Sequence, residues 1–116
     1  MEKLQQRVRI RLRHNVEYPN AISVTAGETV SVGPEDNEFA GWKWCKASDG
    51  REGWVPVELL SNQGVEATIL QDYSARELEV WPGEEVTVED TRHEWLLVRN
   101  ARGERGWIPA SHTEQL

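Results

Sequence analysis

The sequence is poor in the residues that make covalent or metal staples. Cys45 is its one cysteine among 116 residues. An internal disulfide is therefore excluded, and a cysteine-based metal site lacks ligands. No apolar run approaches the roughly 18 residues of a membrane span, and no basic-then-apolar signal segment opens the chain, so it reads as soluble and cytoplasmic. The three histidines, His14, His93 and His112, show no ligand spacing such as His-x-x-x-His. Ser111 and His112 are adjacent, so their side chains point apart, and nothing orients the imidazole. No glycine-rich phosphate loop follows a strand and opens a helix. These absences remove catalysis, and they imply no cofactor and no metal.

Positive charge is also short. The net charge is −7. Residues 1–62 hold 8 Lys+Arg against 9 Asp+Glu, giving −1; residues 63–116 hold 5 against 11, giving −6. An acidic second half repels phosphate backbones and anionic membranes and steers basic partners toward itself, although solubility accounts for the same charge. The one basic stripe is Arg7–Arg13, too little for a nucleic-acid surface on an acidic chain.

What the sequence does contain is a repeat. Gly50-Arg51-Glu52-Gly53-Trp54-Val55-Pro56 recurs as Gly103-Glu104-Arg105-Gly106-Trp107-Ile108-Pro109, 53 positions later. Each copy follows a Trp-led run, Trp44-Cys45-Lys46-Ala47 or Trp95-Leu96-Leu97-Val98. Each half also carries an upstream block with Val24/Val80, Gly27/Gly83, Glu28/Glu84, Val30/Val86 and Val32/Val88 in common. Three matched blocks in one order make a duplicated unit. Two domains follow, 1–61 (with its core from about residue 7) and 62–116. Each is near the lower size limit for a self-supporting core, and six tryptophans supply bulky anchors.

Met1–Gln6 shows no period and reads as a frayed lead-in. From Arg7 the pattern alternates, with Val8, Ile10 and Leu12 between four arginines, which predicts a half-buried strand whose arginines face water. Strands are expected at Ile22–Val24, Thr29–Val32, Trp42–Ala47, Gly53–Pro56, Glu66–Leu70, Leu78–Val80, Glu85–Val88, Trp95–Val98 and Gly106–Ile108. Ser48-Asp49-Gly50-Arg51 has the chemistry of a type I′ turn, and Ser61–Gly64 is a linker of about four residues. Short strands, frequent turns and no helical period give an all-β fold of two small antiparallel barrels.

Strand parity assigns the tryptophans. Cys45 and Ala47 share one face and Trp42 and Trp44 the other; Leu96 and Val98 oppose Trp95 and Leu97. The small or aliphatic sets, with Val55 and Ile108, belong inside a narrow barrel. Trp44, Trp54, Pro56, Trp95, Trp107 and Pro109 then lean outward, an indole beside a proline in each half. Cys45 reads as a buried apolar residue.

The order of these blocks, with Trp44-Cys45-Lys46-Ala47, Gly53-Trp54-Val55-Pro56 and Gly106-Trp107-Ile108-Pro109, resembles the Src-homology 3 (SH3) domain. The resemblance appears twice, over about residues 7–61 and 64–116, and it is closer to the peptide-binding type than to the bacterial cell-wall type. It implies docking of proline-rich peptides in the polyproline II conformation between aromatic rings. Carried over by position, the first groove consists of Leu12, His14, Trp44, Pro56 and Leu59. The second consists of Gln71, Tyr73, Trp95, Pro109 and His112. The first copy has lost all three groove tyrosines and the second keeps Tyr73. Acidic loop residues that would read a basic ligand are Glu17, Glu35, Asp36 and Glu38, and Glu77, Asp90 and Glu94. The expectation is a non-enzymatic module binding a protein or peptide segment, with proline-rich or basic segments as the candidates. The alternative is a structural pair whose tryptophan faces are buried between domains or in a homo-oligomer.

Overall fold

The structure is a computed structural model and describes residues 6–61 and 64–116. Most of the expected lead-in, and Asn62 and Gln63 of the expected linker, lie outside the described residues. Twelve strands run in chain order: β1 Gln6–Ile10, β2 Ser23–Val24, β3 Thr29–Glu35, β4 Trp42–Lys46, β5 Glu52–Pro56, β6 Leu60–Ser61, β7 Glu66–Ile69, β8 Tyr73–Ser74, β9 Glu85–Arg92, β10 Trp95–Arg99, β11 Arg105–Pro109 and β12 Thr113–Gln115. The helical turns among the described residues are two 3-10 turns, Val57–Leu59 and Ala110–His112. The all-β reading holds. The strands form two five-stranded sheets, β11-β10-β9-β1-β12 and β5-β4-β3-β7-β6, with β2-β8 as a separate pair. Each large sheet runs from edge to edge, so open sheets stand where the sequence led us to expect closed barrels.

The two halves exchange their first strands. β1 pairs with β9 and β12 of the second half, with Val8 opposite Val86 and Ile10 opposite Thr113. β7 pairs with β3 and β6 of the first half, with Ala67 opposite Val30 and Leu60 opposite Ile69. The compact units are therefore a continuous one, residues 18–76, and a split one, residues 1–17 with 77–116. The repeat had predicted 1–61 and 62–116. Two physical reasons favour the exchange. Only residues 62–65 separate β6 from β7, so the two strands close a local hairpin at little entropic cost. The arginines of the first segment also find carboxylates in the acidic second half. Arg7 meets Glu85 at 3.1 Å, and Arg13 meets Glu79 at 2.7 Å while its guanidinium lies over the Trp81 ring.

Each core accordingly draws on both repeats. Ile22, Val24, Val30, Cys45, Val55, Ala67 and Ile69 pack in the continuous unit. Val8, Ile10, Leu78, Val80, Val86, Val98 and Ile108 pack in the split one. Parity placed Cys45, Val55, Leu96, Val98 and Ile108 inward, and all five are buried. Leu12 departs from it: the strand ends at Ile10, and Leu12 is exposed.

The repeated motifs have local causes. In both upstream blocks the glutamate after the shared glycine folds back to accept a backbone N–H three residues earlier, Thr25 to Glu28 at 2.5 Å and Trp81 to Glu84 at 2.6 Å. In the β4–β5 hairpin, Gly50 N–H bonds Ala47 O, and neither Ser48 nor Asp49 has positive φ. The turn is thus type I followed by a left-handed glycine rather than type I′. The type I′ geometry falls instead on His93 (φ 43°) and Glu94 (φ 73°), a two-residue turn between β9 and β10. The second glycine of each motif marks a close approach. A Cβ on Gly106 would lie 2.6 Å from Leu78 N, and one on Gly53 2.9 Å from Ile22 Cγ2.

Candidate functional site

Register decides which tryptophans correspond. Trp42 stands opposite Pro56 and Trp95 opposite Pro109, while Trp44 opposes Trp54 and Leu97 opposes Trp107. The partner of Trp95 by position is therefore Trp42, two residues before the Trp44 that the sequence matched to it. Trp42 is 4% exposed, and Pro56 and Pro109 are also buried. Trp107 is 5% exposed because the Glu77–Leu78 backbone runs along β11, with Leu78 N–H on Trp107 O at 3.3 Å. Trp107, Pro56 and Pro109, expected to lean outward, are covered and not open to solvent. Leu59 also leaves the expected groove, for it is buried in the core of the continuous unit.

The continuous unit carries an aromatic row outside its core. Trp44 packs edge-on against Tyr18 (ring centroids 5.1 Å apart) and against Trp54 (5.0 Å). Trp44 and Trp54 are half-buried and Tyr18 is exposed. Trp44 Nε1 donates to Glu52 Oε1 at 2.9 Å, and the Tyr73 hydroxyl donates to Trp54 O at 2.7 Å. Glu35 ends β3 beside β4, and Asp36 follows it with its N–H on Trp42 O at 2.8 Å. Residues 18–76 hold 4 Lys+Arg against 9 Asp+Glu, giving −5; the split unit holds 9 against 11, giving −2. The exchange thus moves the acidic surplus onto the unit with the open aromatic rings.

The split unit gathers a polar cluster beside Trp95. His14 and Glu77 are 5% and 7% exposed, with His14 Nε2 2.8 Å from Glu77 Oε1. Glu77 Oε2 accepts the Glu17 N–H at 3.1 Å. The His14 ring stands edge-on to Trp95 at 5.7 Å and to His112 at 5.6 Å.

Residues 13–63 match the family model for a variant SH3 domain, and residues 71–114 match that for a bacterial SH3 domain. It is a tandem SH3-like protein. No curated protein and no solved structure matches the chain. Both matched segments begin after the exchanged strand of their copy, so β1 and β7 lie outside them. The second copy matches the bacterial type, whereas both copies had been read as nearer the peptide-binding type. None of the described helices is long and apolar enough to cross a membrane.

The exchange regroups the site residues of the tandem SH3-like protein. Leu12, His14 and Glu17, read as part of the first groove, join Glu77, Trp95, Pro109 and His112 in the split unit. Gln71 and Tyr73, read as part of the second, join Trp44, Pro56, Leu59, Glu35 and Asp36 in the continuous unit. Glu77 had been read as a loop carboxylate and is a buried partner of His14. Tyr18 was not singled out beyond its turn, and no period or spacing in the sequence marked it. Burial pushes the Cys45 thiol up to about 11, opposed by Lys43, which suits an inert core residue. Partial burial pushes the Glu89 carboxyl up, but bonds from Arg105 and Arg99 outweigh it and hold it below the usual range.

Proposed function

We propose that the tandem SH3-like protein is a non-catalytic interaction module that binds a basic, apolar or proline-rich protein segment on the Tyr18–Trp44–Trp54 row. SH3 domains are interaction modules, and this row supports the reading best: three large rings lie outside the core, Tyr18 exposed and the two indoles half-buried, in the unit with net charge −5. Flat rings grip a preformed polyproline helix without demanding hydrogen bonds, and Tyr and Trp dominate the energetics of such surfaces. Glu35, Asp36 and Glu52 complement a basic residue in the ligand. The groove position of the family is less suited, since Trp42 and Pro56 are buried and His14 is tied to Glu77. A cytoplasmic setting is part of this proposal, and imaging of a tagged chain tests it.

Titrating basic proline-rich peptides while following tryptophan emission tests the binding reading. Affinities of the order of micromolar, about −8 kcal/mol, are expected. Trp44→Ala should weaken them about tenfold or more, and Trp95→Ala should leave them unchanged. Absence of binding, or equal binding by Trp44→Ala, sinks the proposal.

A further inference from the structure

We propose that His14, Glu17 and Glu77 form a site for one divalent transition-metal ion of the zinc class, which clips the exchanged segment onto the split unit. One donor atom from each of the three residues lies within 4.8 Å of the others. Zinc binds imidazole nitrogen and carboxylate oxygen at about 2.0–2.2 Å, so donors in a tetrahedral shell sit roughly 3.3 Å apart. His14 Nε2 and Glu77 Oε1, now 2.8 Å apart, need to separate by only about half an ångström to admit it.

Three further observations favour a cation here. Two carboxylates approach each other where Glu77 is almost fully buried, and like charges repel most strongly out of water. A divalent ion reverses that repulsion. The Glu17 N–H already bonds Glu77 Oε2, which brings the Glu17 backbone beside the buried pair and orients the Glu77 carboxylate in the manner of an outer-sphere partner. Beside the cluster, His112 Nδ1 is buried without a hydrogen-bond partner, and its ring lies against His14. A water on the open fourth position of the metal is the kind of group that would satisfy it. One imidazole and two carboxylates make a nitrogen–oxygen donor set suited to zinc, cobalt or manganese rather than to thiolate-seeking ions.

The ligands also mark where the chain changes units. Residues 14 and 17 end the first segment of the split unit, and residue 77 begins the second. A metal shared by them closes the loop formed by the whole continuous unit and fastens β1 in the sheet. Loop closure by a bound ion stabilises most when the loop is long.

Calorimetric titration of chelator-treated full-length protein with Zn²⁺, with Co²⁺ as a spectroscopic substitute, tests the site. One ion per chain is expected, with visible Co²⁺ bands of a low-symmetry nitrogen–oxygen site and quenching of Trp95 emission. Glu17→Gln keeps its backbone bond to Glu77 and alters only an exposed side chain, so it should fold normally and bind about tenfold or more weakly. His93→Asn, outside the cluster, should bind as the parent does. No saturable binding, equal binding by Glu17→Gln, or loss of binding in His93→Asn overturns the proposal.

Discussion

His14 and Glu77 lie 63 positions apart in the chain and meet at 2.8 Å inside a single folding unit. Each belongs to a different copy of the repeat, so the pair exists only because the first strands have changed places. Truncating one member leaves the other buried without its partner. Glu77→Ala should therefore cost roughly 3 kcal/mol in urea denaturation of chelator-treated protein, with Glu77→Gln costing less. An unchanged midpoint in Glu77→Ala would mean that the pair is solvated.

Gly106 is fixed by space rather than by backbone angle. Its added Cβ would strike the backbone of Glu77 and Leu78, at 2.7 and 2.6 Å. Gly106→Ala should lower stability by about 1–3 kcal/mol, the range for overpacking. For a unit of this size, that is a fall in melting temperature of several degrees for each kcal/mol. Gly64→Ala, which meets nothing within 4 Å, serves as the control in the same thermal melts.

Much of this arrangement was legible in the sequence. Period-two alternation placed Cys45, Val55, Val98 and Ile108 inside, and the recurring Gly-x-x-Gly-Trp motif showed that there are two units. The same alternation could not say which sheet takes β1, because β1 and β7 carry matching inward residues and fit either copy. What separates the outcomes is a short connection and the partners of Arg7 and Arg13, and neither has a period. Parity was equally blind to the tryptophan pairing: shifting from Trp42 to Trp44 keeps the face and changes only the register. His14, Glu17 and Glu77 converge across the exchange, which no linear ligand spacing reveals.

The turn at His93 and Glu94 holds two non-glycine residues at positive φ. Left-handed backbone costs a side-chain-bearing residue about 1 kcal/mol or more, and Asn-Gly is the preferred type I′ pair. The double change His93→Asn, Glu94→Gly should stabilise the protein by about 1 kcal/mol in chemical denaturation. Destabilisation would show that the turn is held by side-chain contacts instead.

Glu89 links stability to acid. Its carboxyl is held down in the folded protein by Arg105 and Arg99 despite partial burial. A depressed carboxylate stabilises above its unfolded value, near 4.5, and that contribution fades as pH falls through the folded value. Glu89→Gln should be less stable than the parent at pH 7, and the difference should shrink below about pH 4. Urea midpoints of both proteins across that range check the sign.

The exchange of strands is tested most directly by nuclear Overhauser contacts in the isotope-labelled protein. Cross-strand contacts joining Val8 to Val86 and Ala67 to Val30 are expected. Contacts joining Val8 to Val30 and Ala67 to Val86 would place each first strand in its own copy and contradict the regrouped site.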